Sequence, residues 1–73
     1  MTLARPFDFL NSAIGKPVLV RLKGNKQLRG NLKVFDQHMN IVLEEAEELE
    51  DEKVKSKIGN VIVRGDNILY ISP

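Results

Sequence analysis

The sequence predicts a mainly β fold, in which a short N-terminal α-helix is followed by a five-stranded, strongly bent antiparallel small barrel. Three observations carry this prediction. Apolar and polar residues alternate from Lys16 to Lys23 and again from Lys26 to Val34, the period-2 pattern of strands with one buried face. Gly30 interrupts the apolar face in mid-strand, where a glycine is usually justified by a bend or a close backbone approach. Only one short helical pattern precedes the strand-like runs, so the core must come from a small sheet that curls on itself.

In chain order, Met1 to Arg5 is expected to be extended or disordered. Pro6, with Asp8 close behind, reads as a helix start and Gly15 as its stop, giving a helix over about 6–15. Phe7, Leu10 and Ile14 fall at i, i+3 and i+7 and form one apolar stripe. A helix this short is marginal in water and must lie on an apolar surface, such as the open end of a sheet. The barrel then occupies about 16–73, and residues 1–73 read as a single domain. Val18, Val20 and Leu22 face inward on the first strand; Gly24-Asn25 is a two-residue pair that favours a hairpin turn. On the second strand Leu28, Gly30, Leu32 and Val34 face inward, and Gly30 marks a barrel corner. Asn40 to Leu43 is a third strand. Glu44 to Glu52 reads as a solvated strand end and hairpin loop, since it lacks the Asp/Asn spacing and central glycine of a calcium loop. Lys53, Lys55 and Lys57 restore positive charge, so the returning strand is placed to pair across the ladder with the acidic one. Val61 to Val63 and Ile68 to Ile71 are the last two strands.

Composition narrows the function classes. The 73 residues include 42% hydrophobic but only 5% aromatic residues, a small domain with a thin stability margin. With no cysteine there is no disulfide or thiolate cluster, and oligomerisation is the remaining source of extra burial. Neither a signal peptide nor a run approaching the roughly 20 apolar residues of a membrane span is present, so a soluble, cytoplasmic protein is expected. Net charge is only +1, from 11 basic and 10 acidic residues, so any nucleic-acid site must be local.

The chemistry concentrates in two polar turns. Phe35-Asp36-Gln37-His38-Met39-Asn40 places a carboxylate, an imidazole and a carboxamide between strands, and Arg64-Gly65-Asp66-Asn67 places a guanidinium before the last strand. Gly30, Asp36, His38-Met39-Asn40, Ile58-Gly59 and Ile62-Val63-Arg64-Gly65-Asp66 together resemble the two motifs of the Sm and Sm-like RNA-binding family, archaeal-type. The resemblance covers Lys16 to Pro73. It implies the Sm fold and a homo-oligomeric ring, seven subunits being commonest, that binds single-stranded uridine-rich RNA at its central hole in RNA processing or metabolism. It further implies that His38 and Arg64 stack on the two faces of a base and that Asn40 hydrogen-bonds its edge, with Asp36, Asp66 and Gly65 in support. The residue types suit those roles: imidazole and guanidinium are flat, and arginine also neutralises phosphate. Either Asp66 or Asp36 is a candidate to hold the Asn40 carboxamide in one orientation.

The uncharged last strand carries none of the devices that blunt an exposed edge, and is expected to pair with the fourth strand of a neighbouring subunit. Two other classes fit less well. A small barrel that binds a protein tail or acts as a scaffold normally offers an aromatic cage, and this chain has no Trp and one Tyr. A hydrolase needs a placed nucleophile and base, which the single His beside an Asp does not supply. No enzyme activity, cofactor or metal is expected.

Overall fold

The computed structural model describes residues 6–51 and 53–73, without the side chains of Pro6 and Phe7. Met1 to Arg5, expected to be extended or disordered, lie outside the described residues, as does the Phe7 side chain of the helical stripe. Helix α1 (Pro6–Ala13) opens on a proline, whose missing N–H costs nothing at a helix start. Gly15, at φ +83°, takes the left-handed conformation that turns the chain out of the helix, and its N–H donates to the Leu32 carbonyl at 2.7 Å. Leu10 and Ala13 bury against the sheet. Ile14 departs from the expected stripe and is 40% exposed, because the helix has already ended at Ala13 and the i+7 spacing no longer applies.

Five strands follow: β1 (Pro17–Leu22), β2 (Lys26–Phe35), β3 (Ile41–Glu50), β4 (Lys53–Val63) and β5 (Ile68–Ser72). They form one antiparallel sheet in the order β4-β3-β2-β1-β5. Consecutive strands pair except for β5, which crosses back to β1, so the sheet curls and leaves one edge each of β4 and β5 unpaired. The core is Val18, Val20, Leu28, Leu32, Ile41, Leu43, Ala46 and Val63 from the strands, closed by Leu10 and Ala13 of α1.

Gly30 is where β2 and β3 approach closely. A Cβ there would stand 3.0 Å from the Ala46 Cα and 3.1 Å from the Glu44 carbonyl oxygen, and the β2–β3 register shifts between Arg29 and Asn31. The close approach of two backbones, expected from a mid-strand glycine, is thus present. At the β1–β2 turn the loop is three residues, Lys23 to Asn25, rather than two, with Gly24 and Asn25 both at positive φ. Val34, expected inside, is 50% exposed: the register shifts again between Leu32 and Val34, and Phe35 packs against the core instead.

The largest departure is the acidic run. Rather than a strand end and loop, Glu44 to Glu50 continues β3, and β4 begins at Lys53, so Val61 to Val63 is only the end of an 11-residue strand. Leu43, Ala46 and Leu49 all face inward although they stand three apart, because the β3–β4 ladder shifts register at three places and Glu45 adopts φ +53°. The expected cross-ladder charge pairing is present: Lys55 lies 3.6 Å from Glu50 and 4.0 Å from Glu48. On the β2 side, Arg29 reaches Glu47 at 3.3 Å and Lys33 reaches Glu44 at 3.6 Å. Among the described residues no group of three acidic or imidazole side chains is placed to hold a metal ion.

Candidate functional site

The β2–β3 connection is built around one carboxylate. Asp36 Oδ1 accepts the backbone N–H groups of His38 at 2.9 Å and Asn40 at 3.0 Å, while Asp36 Oδ2 accepts the Asn40 carboxamide Nδ2 at 3.1 Å. Backbone bonds close the same turn, from Met39 N–H to the Asp36 carbonyl and from Asp36 N–H to the Asn40 carbonyl, both 3.0 Å. An aspartate suits this position because its short acceptor-only side chain satisfies nearby N–H groups without a strand partner. The Asn40 carboxamide, joined by the backbone N–H groups of Asn40 and His38, holds the Asp36 carboxyl below its ordinary pKa. Met39, at φ +64°, packs its side chain against the core, which leaves His38 exposed on the outer side of the turn.

The second turn is fastened directly to the first. Gly65 N–H donates to Asn40 Oδ1 at 2.8 Å, across 25 residues of chain. A Cβ at Gly65 would come within 2.1 Å of the His38 carbonyl oxygen, so only glycine lets the two backbones meet. Gly65–Asn67 is a single 3₁₀ turn, closed by Asn67 N–H to the Arg64 carbonyl at 3.0 Å. Arg64 and Asp66 pair with each other, Nη2 to Oδ2 at 3.3 Å, with side chains 76% and 64% exposed. A shallow cavity of about 360 Å³ adjoins the site on the side of Asp36, Asn40 and Arg64, walled by Val34, Val42 and Ile62.

The arrangement is a carboxamide fixed at both ends, on a turn that carries an exposed imidazole and bonded to a turn that carries an exposed guanidinium, a surface suited to a flat polar ligand. The LSM domain family model matches residues 8–73. The chain belongs to the LSM domain family. A small nuclear ribonucleoprotein Sm-like protein of Methanosarcina barkeri is 56% identical over 69 residues, which covers 94% of this chain and 96% of the relative. Among solved structures, a Sm protein of Pyrococcus abyssi in complex with a uridine heptamer is 43% identical with a TM-score of 0.92, over 96% of this chain and 99% of that one. A heptameric archaeal Sm protein is 50% identical with a TM-score of 0.85, over 90% and 96% of the two chains.

In this LSM domain, Asp36, His38 and Asn40 stand on one turn, with Gly65 bonded to it and Arg64 and Asp66 beside Gly65. Of the two carboxylates considered for holding the Asn40 carboxamide, Asp36 does so; Asp66 bonds Arg64 instead. Sequence reasoning overlooked the Gly65 N–H as the second hold on Asn40, and it overlooked Lys23, whose N–H donates to the Asn67 carbonyl at 2.9 Å and ties the β1–β2 turn to the site. No local spacing signals either contact, since each joins residues far apart in the chain.

Proposed function

We propose that this LSM domain assembles into a ring of identical subunits, seven by its likeness to the heptameric archaeal Sm protein, and that the ring binds single-stranded uridine-rich RNA at its central hole. The relative bound to a uridine heptamer supports the ligand class. The observation that carries the reading is the two-ended hold on Asn40, from Asp36 and from Gly65, which fixes the amide on the turn that carries His38 and ties it to the turn that carries Arg64. Imidazole and guanidinium planes stack on bases, and each stack is worth about 1–3 kcal/mol by alanine substitution. Repetition around a ring multiplies a weak single site into avidity. The role is binding, not catalysis, and belongs to RNA processing or metabolism in the cytoplasm.

Assembly follows from the two open edges. β5 has five residues and no charge, and Ile58 to Val63 of β4 is likewise uncharged, whereas the rest of β4 carries Lys53, Lys55 and Lys57, the usual guards of an exposed edge. The unguarded part of β4 therefore pairs with β5 of the next subunit. Native mass spectrometry together with oligouridine titration tests the reading. A mass of seven subunits and binding that weakens in both His38→Ala and Arg64→Ala are expected. A monomer at micromolar concentration, or mutants that bind as the wild type does, would overturn it.

A further inference from the structure

Of the residues in the two joined turns, Met39 alone among those described packs its side chain against the core. Its backbone takes the left-handed conformation at φ +64°, which residues other than glycine adopt at a cost, so the turn depends on that anchorage as well as on the bonds to Asp36. The residue is only partly buried and lines an open cavity of about 250 Å³ beside β5, whose walls include Leu10, Ile68 and Leu69. Gly65 lines the same cavity, and its N–H is the donor that holds Asn40 Oδ1 at 2.8 Å. The chain has no cysteine and only one other methionine, Met1, so the Met39 thioether is the one sulfur among the described residues. A thioether facing an open cavity is a soft nucleophile within reach of small oxidants.

We propose that Met39 is an oxidation site, at which a hydroperoxide undoes the clasp between the two turns and so lowers RNA affinity. The sulfur lone pair attacks the OH oxygen of the hydroperoxide, the O–O bond breaks and that oxygen's proton passes to the departing oxygen. Met39 becomes the sulfoxide, and water leaves when the oxidant is hydrogen peroxide. The sulfoxide oxygen is a strong acceptor where the thioether was a weak one, and burying it against apolar walls without a donor is unfavourable. It is satisfied by leaving the cavity, which draws the turn after it, or by accepting the Gly65 N–H, which takes that donor from Asn40. Both routes break the Gly65–Asn40 bond and free the amide to turn over. The consequence for RNA rests on the ring-and-RNA reading above; the loss of the Gly65–Asn40 bond does not.

The experiment treats the intact wild-type protein and Met39→Leu with hydrogen peroxide. Leucine fills a similar volume without an oxidisable sulfur, and Met1 is common to both proteins, so its oxidation cancels in the comparison. Tandem mass spectrometry locates the added oxygen, NMR follows the Gly65 amide signal, and oligouridine titration and native mass are measured before and after treatment. In the wild type, Met39 is expected to gain one oxygen, the Gly65 amide signal to move, and oligouridine binding to weaken by about 2- to 12-fold per site, the worth of one neutral hydrogen bond. Methionine sulfoxide reductase should restore both signal and affinity. Treated Met39→Leu should match its own untreated state. Resistance of Met39 to peroxide overturns the proposal, as does a sulfoxide that leaves the Gly65 signal in place, or an equal loss of affinity in treated Met39→Leu. Untreated wild type that fails to bind oligouridine would remove the RNA reading alone, and the Gly65 signal would still decide whether oxidation undoes the clasp.

Discussion

At the scale of single residues, the proposed function makes Asn40 the group that reads the base. Its amide has two N–H groups and an oxygen with two lone pairs. Asp36 takes one N–H and Gly65 N–H takes one lone pair, which leaves one donor and one acceptor for a ligand. A carboxylate only accepts and a backbone N–H only donates, so the amide cannot flip. Uracil offers an N3–H donor beside its O4 acceptor and matches that order; cytosine offers the reverse and leaves polar groups unpaired, a penalty of roughly 1–3 kcal/mol. Asn40→Ala is therefore expected to lower oligouridine affinity and the uridine-to-cytidine ratio together. Asp36→Ala should lower the ratio, and Asp66→Ala should leave it near wild type, since Asp66 bonds Arg64; a ratio that falls only in Asp66→Ala would contradict the geometry. Proton linkage adds a second expectation. The N–H groups around Asp36 favour its ionised form and depress its pKa, so their contribution is present above the ordinary carboxylate pKa and is lost as pH falls through the lowered folded value. The turn should hold its geometry through the ordinary carboxylate range and loosen only below it. Carbon NMR titration of the Asp36 carboxyl measures this, and a midpoint at or above the ordinary value would refute it.

At the scale of elements, two glycines set how closely segments approach, and both make predictions. Gly65→Ala drives a methyl to within 2.1 Å of the His38 carbonyl, so the two turns must separate and the Gly65–Asn40 bond must break. Oligouridine affinity and base selectivity should both fall, with only a modest drop in melting temperature because, of the two turns, Met39 alone among the described residues packs against the core. Gly30→Ala meets backbone atoms at 3.0 and 3.1 Å, and should cost about 1–3 kcal/mol of stability as overpacking typically does. Thermal unfolding of both variants separates the two effects. The same elements show what the sequence made legible. β1 and most of β2 are readable because their ladder is regular and the period of two survives, with Val18, Val20, Leu28 and Leu32 all inside. The β3–β4 arm is not, because register shifts place Leu43, Ala46 and Leu49 at intervals of three and a glutamate-rich strand then imitates a loop. The site residues are readable as types in two short motifs, but the bond that joins the motifs spans 25 residues and leaves no local trace.

At the scale of the whole molecule, the edges decide between monomer and ring. Ile62 is 75% exposed on β4, while Leu69 and Tyr70 of β5 are 58% and 51% exposed. Beside the β5 edge lies an open cavity of about 250 Å³ lined by Phe9, Leu10, Leu69 and Tyr70 among others, apolar in character. Large apolar side chains exposed on both free edges of one small sheet are costly in a monomer and are buried when edge meets edge. Because the two edges are different surfaces, the proposed contact is head-to-tail, and such contacts close into a ring when the rotation permits. A charge placed where the edges meet should open the ring, whereas a charge removed from the lysine-guarded arm should not. Ile62→Asp is expected to shift native mass spectra from the ring to monomers and small oligomers with circular dichroism of the folded sheet retained, since this side chain lies outside the core. Lys55→Gln, which removes only the exposed pairs to Glu48 and Glu50, each worth at most about 1 kcal/mol, should leave the ring intact. Intact rings in Ile62→Asp would place the subunit contact elsewhere than on this half of β4; dissociation in Lys55→Gln would place it on the arm.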